Sequence, residues 1–150
     1  MRLVIQRVTE TQMRIEGEIY SQINHGLMVL IGVEPSDTAD DIDWLVNKML
    51  KMRIFDDEAG VMNLDITQVG GELLLVSQFT LHASTRKGNR PSYIKAAPEA
   101  ISRPLYDQFV EHTRALFGGK VATGVFGADM KISLTNNGPV TIIIDSKLRE

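Results

Sequence analysis

Four consecutive aliphatic residues, Leu73 to Val76, run directly into Ser77, Gln78, Phe79, Thr80 and Leu81. An apolar run of strand length without polar alternation is a strand buried on both faces, so structure must cover it above and below. The same run delivers Ser77, Gln78 and Thr80 to its end, and a buried strand ending in a polar cluster holds reactive groups still. A second stretch, Asn136 to Thr141, pairs a Gly-Pro dipeptide with strand-like sequence on either side, and the dipeptide is expected to interrupt the two runs.

With 150 residues the chain is expected to form one domain, residues 1–150, that buries roughly two-thirds of its unfolded surface. There is no cysteine, which removes disulfides and thiolate metal ligands. The three histidines, His25, His82 and His112, show no metal-ligand spacing, and neither metal nor cofactor is expected. The longest apolar stretch, Leu27 to Val33, is far shorter than the roughly 20 residues of a membrane span. The first eight residues carry Arg2 and Arg7 inside a strand pattern, unlike a signal peptide, so a cytoplasmic protein is the default expectation. The formal net charge of −3 argues against general coating of nucleic acid. Its distribution is uneven, however: no acidic residue lies between Glu72 and Glu99, and that gap holds Arg86, Lys87, Arg90 and Lys95.

Strands are expected over Met1 to Val8, Glu10 to Glu16 and Ile19 to Ile23, with turns at Gly17-Glu18 and Asn24-His25-Gly26, and the continuous apolar run Leu27 to Val33 is expected as a central buried strand. Ile42, Leu45, Val46, Met49 and Met52 recur at helical spacing behind Ser36 and Thr38, either of which can cap, and the aspartates that follow suit the positive end of a helix. Asn63 to Val69 is expected as a strand, and Gly70-Gly71 as a hairpin turn into Leu73. A second helix is expected from about Ser102 to Phe117, with Leu105, Phe109, Leu116 and Phe117 inward. Val121 to Phe126, Met130 to Thr135 and Val140 to Asp145 complete the strands. The order implies an α/β chain with mixed sheets, more than one sheet layer and both helices on one side.

Ser77 and Thr80 are candidate nucleophiles, but the only base nearby in sequence is His82 and there is no G-x-S-x-G elbow. A serine-type triad is therefore not expected. Gln78 can position a polar substrate group through its amide or simply face solvent. Read from its residues alone, Gly138-Pro139 is a trans turn, the usual state of such a bond. The basic segment around Arg86 reads as a solvated loop in which Tyr93 is available for stacking and the cations for phosphate.

Ser77 to Leu81 (SQFTL) together with Asn136 to Thr141 (NNGPVT) resembles the D-aminoacyl-tRNA deacylase (D-Tyr-tRNA deacylase) family. The similarity extends to Gln6-Arg7-Val8, Arg53 to Leu64, Gly88 to Tyr93 and Phe126 to Met130. Two departures are Asn137, where Asp is often expected, and Tyr93, where Phe is expected. The resemblance implies a three-layer α/β/β fold and a homodimer with active sites at the subunit interface. It implies hydrolysis of the ester of D-aminoacyl-tRNA, and of mischarged glycyl-tRNA, as proofreading in translation. Ser77, Gln78, Phe79 and Thr80 would form the catalytic corner. Gly138 and a cis Pro139, supported by Arg7 and Asn136, would enter the partner's site to exclude L-amino acids. Arg86, Lys87, Arg90 and Lys95 would contact tRNA.

Overall fold

The structure, a computed structural model, describes residues 1–150. The chain is organised about one long strand, β1 (Arg2–Ile15), which pairs along both of its edges. On one edge its first half pairs antiparallel with β3 (Gly26–Gly32) and its second half with β2 (Glu18–Ile23). On the other edge it runs antiparallel to β8 (Lys131–Asp145) for almost its full length. β6 (Glu72–Ser77) then joins β3 in parallel, and β7 (Val121–Thr123) joins β6 in parallel. A separate ribbon pairs β4 (Phe55–Asp56) with β5 (Met62–Leu64). Helices α1 (Ala39–Lys51) and α2 (Glu99–Leu116) supply the crossovers that parallel strands require.

The strand pleat explains how this single mixed sheet makes two β layers. Leu73 and Leu75 of β6, with Leu27, Val29 and Ile31 of β3, face a core filled by Ile42, Leu45, Val46 and Met49 of α1 and Tyr106, Phe109 and Val110 of α2. The alternate residues Leu74, Val76 and Met28 face a second core with Val8 and Met13 of β1 and Ile23 of β2, on which Ile132 and Leu134 of β8 pack. The sheet curls until β2 reaches β7, where the Ser21 hydroxyl donates to the Thr123 carbonyl at 3.1 Å. Helices, sheet and returning sheet form the expected three layers. Burying each aliphatic side chain of Leu73 to Val76 contributes about 1.5–3 kcal/mol relative to exposure.

Several local expectations are corrected. Of the expected strand from Asn63 to Val69 only Asn63 and Leu64 lie in a strand, β5, and Ile66 to Gly70 form turns. Gly70-Gly71 is no hairpin, because β5 pairs with β4 and β6 with β3 and β7. The strand expected over Val121 to Phe126 stops at Thr123. Gly138-Pro139 does not separate two strands: β8 continues through it, and the irregularity is absorbed by register shifts around Val8 of β1. α2 begins at Glu99 with Pro104 inside it, and Leu116 is exposed while Phe109 and Phe117 are buried. No helix is long and apolar enough to cross a membrane.

Candidate active site

The parallel strands β3 and β6 end at the same level, with Ile31 opposite Ser77. The crevice beyond the carboxyl ends of parallel strands is where α/β proteins place ligands. A cavity of about 310 Å³ opens here. Its walls are Ile31 and Val33 after β3, Val76 to Phe79 from β6, Ser102 of α2, the segment Phe126 to Met130, and Ile132 of β8. The lining is mostly apolar, with Ser77, Gln78, Ser102 and Asp129 as its polar groups.

At Gln78 the chain leaves the sheet and winds into a 3-10 turn, Phe79–His82. The Gln78 N–H donates to the Ile31 carbonyl at 2.7 Å, so the turn is anchored to the neighbouring strand. Inside the turn the N–H of Leu81 donates to the Gln78 carbonyl at 3.3 Å and that of Ala83 to the Thr80 carbonyl at 3.0 Å. The N–H groups of Phe79 and Thr80 have no protein acceptor, as expected at the start of a helical turn. Two successive unpaired amides, the first on a residue that lines the cavity, can donate to an oxygen that gains negative charge.

No base at this corner is hydrogen-bonded to the hydroxyl of Ser77 or Thr80. The Gln78 amide donates to the Thr80 hydroxyl oxygen at 2.6 Å, and an amide cannot remove a proton from that hydroxyl. His82 is buried with its ring against Gly32 and Nδ1 3.7 Å from Glu34, and no hydrogen bond joins it to Ser77 or Thr80. Phe79 is 55% exposed and meets Tyr93 edge-to-face at 5.0 Å, so the Tyr found in place of Phe keeps the ring contact.

The loop that leads from the turn to Tyr93 carries Arg86, Lys87 and Arg90, and Lys95 follows two residues after the ring. Ser84 and Ser92 exchange backbone hydrogen bonds of 2.8 and 2.9 Å that close the base of the loop. Arg86, Lys87, Arg90 and Lys95 are exposed and make no ion pair, so their charge is available to a partner.

Gly138 and Pro139 lie elsewhere in the chain, exposed on β8 and outside the cavity lining. Their peptide bond is cis, which corrects the turn read from the residues alone and agrees with the resemblance. Two neighbours fix the segment. Buried Arg7 donates Nε to the Asn137 carbonyl at 2.9 Å and Nη1 to the Ile54 carbonyl at 2.7 Å, with Asp56 at 3.2 Å. Asn136 accepts from the Val140 N–H at 2.7 Å and donates to the Val140 carbonyl at 3.2 Å, bridging the dipeptide. Gly138 has φ +138°, and a Cβ there would stand 2.8 Å from Val140 Cγ2 and 3.1 Å from Arg7 Nη2. Asn137 contributes its carbonyl to Arg7, a contact that an Asp at this position would make equally well.

Strand register separates the two sequence motifs. Gly138-Pro139 lies beside Arg7, whose row passes through Leu27 to Leu73, four residues along β6 from Ser77. That offset is about 13 Å along the strands and three strand spacings of about 4.8 Å across them. The sequence reading missed two residues at the corner, Arg2 and Gly32. Arg2 Nη1 donates to the Leu81 carbonyl at 2.7 Å, and a Cβ on Gly32 would stand 2.9 Å from Leu81 Cβ. A glycine ending the apolar run of β3 was the available signal for the second; nothing local marked the first.

The chain is similar to known proteins along nearly its whole length. A family model described as D-Tyr-tRNA(Tyr) deacylase matches residues 4–145. A Flavobacterium johnsoniae protein named D-aminoacyl-tRNA deacylase is 55% identical over 150 residues, covering all of both chains. One of the same name from Chromobacterium violaceum is 55% identical over 147 residues, 98% of each chain. Among solved structures, one named "c-Myc DNA Unwinding Element Binding Protein" superposes with a TM-score of 0.92 at 36% identity, covering 97% of this chain and 98% of that one. A second, of "a probable eukaryotic D-amino acid tRNA deacylase", has a TM-score of 0.80 at 18% identity over 95% of this chain and 97% of that one, and so shares the fold.

Proposed function

The chain belongs to the D-Tyr-tRNA(Tyr) deacylase family and is a D-aminoacyl-tRNA deacylase, an ester hydrolase, and we propose that it works at the Ser77–Thr80 corner by holding its substrate rather than by attacking it. The observation that carries this reading is the pair of unpaired N–H groups of Phe79 and Thr80 at the end of a doubly buried strand. An ester between an amino acid and the ribose of the terminal adenosine is already activated. Its hydrolysis needs hydrogen-bond donors to the oxyanion, a placed water and little else. One such donor is typically worth ~100- to 1000-fold in rate. The ribose 2′-hydroxyl beside the ester takes part in the chemistry, and no cofactor is called on.

The second element is discrimination between hands. Gly138 and Pro139 form a main-chain wall stiffened by Arg7 and Asn136. Within one protomer that wall stands apart from the corner, so it acts on the corner of a second copy in a homodimer. The outer edge of β8 pairs with nothing, and Ile143 on it is 66% exposed, which leaves a long strand edge for another chain to cover. The carbonyls of the wall hold the substrate amino group so that a D side chain, or the hydrogen of glycine, points outward while an L side chain collides. Discrimination by exclusion suits backbone, which yields less than a side chain. Arg86, Lys87, Arg90 and Lys95 take the phosphates of the acceptor end, and the reaction serves proofreading in translation.

The test is single-turnover hydrolysis of matched D-, L- and glycyl-tRNA by the wild type and by Thr80→Val. D-aminoacyl-tRNA and glycyl-tRNA should be cleaved and the L ester spared, with Thr80→Val retaining considerable activity. Complete loss in a folded Thr80→Val protein would instead identify Thr80 as the nucleophile. Cleavage of both hands at similar rates would remove the role given to Gly138 and Pro139.

A further inference from the structure

The 3-10 turn that presents the Phe79 and Thr80 amides is only four residues long, and its internal hydrogen bonds cannot by themselves fix its orientation. In a continuing helix the Leu81 carbonyl would accept from the N–H of Ser84. Here that N–H donates to the Ser92 carbonyl at 2.8 Å, at the base of the basic loop. The Leu81 carbonyl is held instead by Nη1 of Arg2, at 2.7 Å. The same guanidinium gives Nε and Nη2 to one carboxylate oxygen of Asp145, at 3.0 and 2.8 Å, on the last residue of β8. One planar group thus ties the start of β1, the end of β8 and the far end of the turn. A charge-assisted bond to a carbonyl is roughly twice as strong as a neutral one, and a planar guanidinium fixes direction as well as distance.

We propose that Arg2 is a positioning residue for the deacylation: with Asp145 it fixes the direction of the Leu81 carbonyl, and through the rigid peptides of the turn, the aim of the Phe79 and Thr80 N–H groups. The proposal rests on the reading of those amides as the donors to the oxyanion. Arg2 is not among the residues that line the cavity, so it acts through the turn. Its side chain is 37% exposed, so its removal costs the fold little, as for most partly exposed ion pairs. The predicted consequence is kinetic. Misaimed donors weaken an interaction that exists only in the transition state, which lowers kcat and leaves KM in place.

The experiment measures kcat and KM for D-aminoacyl-tRNA hydrolysis, with thermal unfolding, in the wild type, Arg2→Met, Arg2→Lys, Asp145→Asn and the Arg2→Met/Asp145→Asn double variant. Arg2→Met should lower kcat roughly tenfold, less than the hundredfold that a 1 Å misplacement costs, with KM within about twofold. Arg2→Lys keeps the charge but cannot hold both partners in one plane, so it should fall between the two. Asp145→Asn should lower kcat in the same direction, and the double variant should be no worse than Arg2→Met, because both act through one contact. An unchanged kcat in folded Arg2→Met and Asp145→Asn, or a rise in KM alone, would overturn the proposal. If Arg2→Met does not fold, Asp145→Asn and Arg2→Lys decide it. A wild type that leaves the ester intact sinks the reading of the corner together with this proposal, whereas an active wild type with kinetically silent variants sinks only the latter.

Discussion

The Ser77–Thr80 corner and the Gly138-Pro139 segment are both backbone devices, yet they are fixed by opposite means. The corner hangs from a strand buried on both faces, and packing of two cores sets its position. Gly138 and Pro139 sit exposed on an edge strand, with only the neighbouring Val140 packed on the helix-side core, and side-chain hydrogen bonds from Arg7 and Asn136 set the shape of the segment. A packed site fails when space is violated. A hydrogen-bonded site fails when a donor is removed. The two regions should therefore respond to different substitutions.

The largest effect is expected where packing rules. Gly32→Val places a Cβ 2.9 Å from Leu81 Cβ and 3.0 Å from the His82 ring, so the turn must shift. Hydrolysis of D-aminoacyl-tRNA should fall roughly hundredfold, mainly in kcat, while the ratio of D to L cleavage stays high. Retained activity would show that the corner tolerates displacement and that packing does not govern it.

Arg7→Ala should give the reverse pattern. It strips donors from the Asn137 and Ile54 carbonyls and is expected to cost about 2–3 kcal/mol, read by denaturant unfolding. The D over L preference should drop roughly tenfold, more than D hydrolysis itself does, because a loosened wall no longer excludes. Asn136→Ala should follow in the same direction with about 1–2 kcal/mol, having one fewer chain segment to release.

Replacing Arg86, Lys87 and Arg90 by Gln should leave unfolding within about 0.5 kcal/mol, since the three are exposed and unpaired. It should raise KM and flatten the dependence of binding on salt by roughly 0.7–0.9 for each phosphate no longer neutralised. The smallest effect concerns acid. Burial opposes ionisation of Asp145, but hydrogen bonds from the Lys147 N–H and the Arg2 guanidinium outweigh it and hold the carboxyl below its usual range. A lowered folded-state value adds stability that is complete above the ordinary carboxylate range and is lost as pH falls through it toward the folded value. The difference in Tm between wild type and Asp145→Asn should be present at about pH 6 and shrink by about pH 3.

Much of this was legible in one sequence. The unbroken run Leu73 to Val76 required cover on both faces, and the structure supplies a core on each. The helical spacing from Ile42 to Met49 and the acid-free gap around Arg86 were equally plain, because each depends on residues close together in the chain. The errors share one cause. Gly70-Gly71 looked like a hairpin because turn chemistry is local, whereas the pairing of β6 with β3 is decided by a crossover through α1. Gly138-Pro139 looked like a break because proline cannot donate to a ladder, yet β1 accommodates it by shifting register near Val8.

Residue type and short-range period thus determined which segments are buried, which are helical and where polar groups gather, because those preferences act within a few residues. Tertiary structure alone decided that one curled sheet makes two layers, that Arg2 reaches Leu81 and Asp145, and that the two motifs stand apart within the chain. Such facts depend on strand pairing and register between residues up to 143 positions apart, and no local preference encodes them.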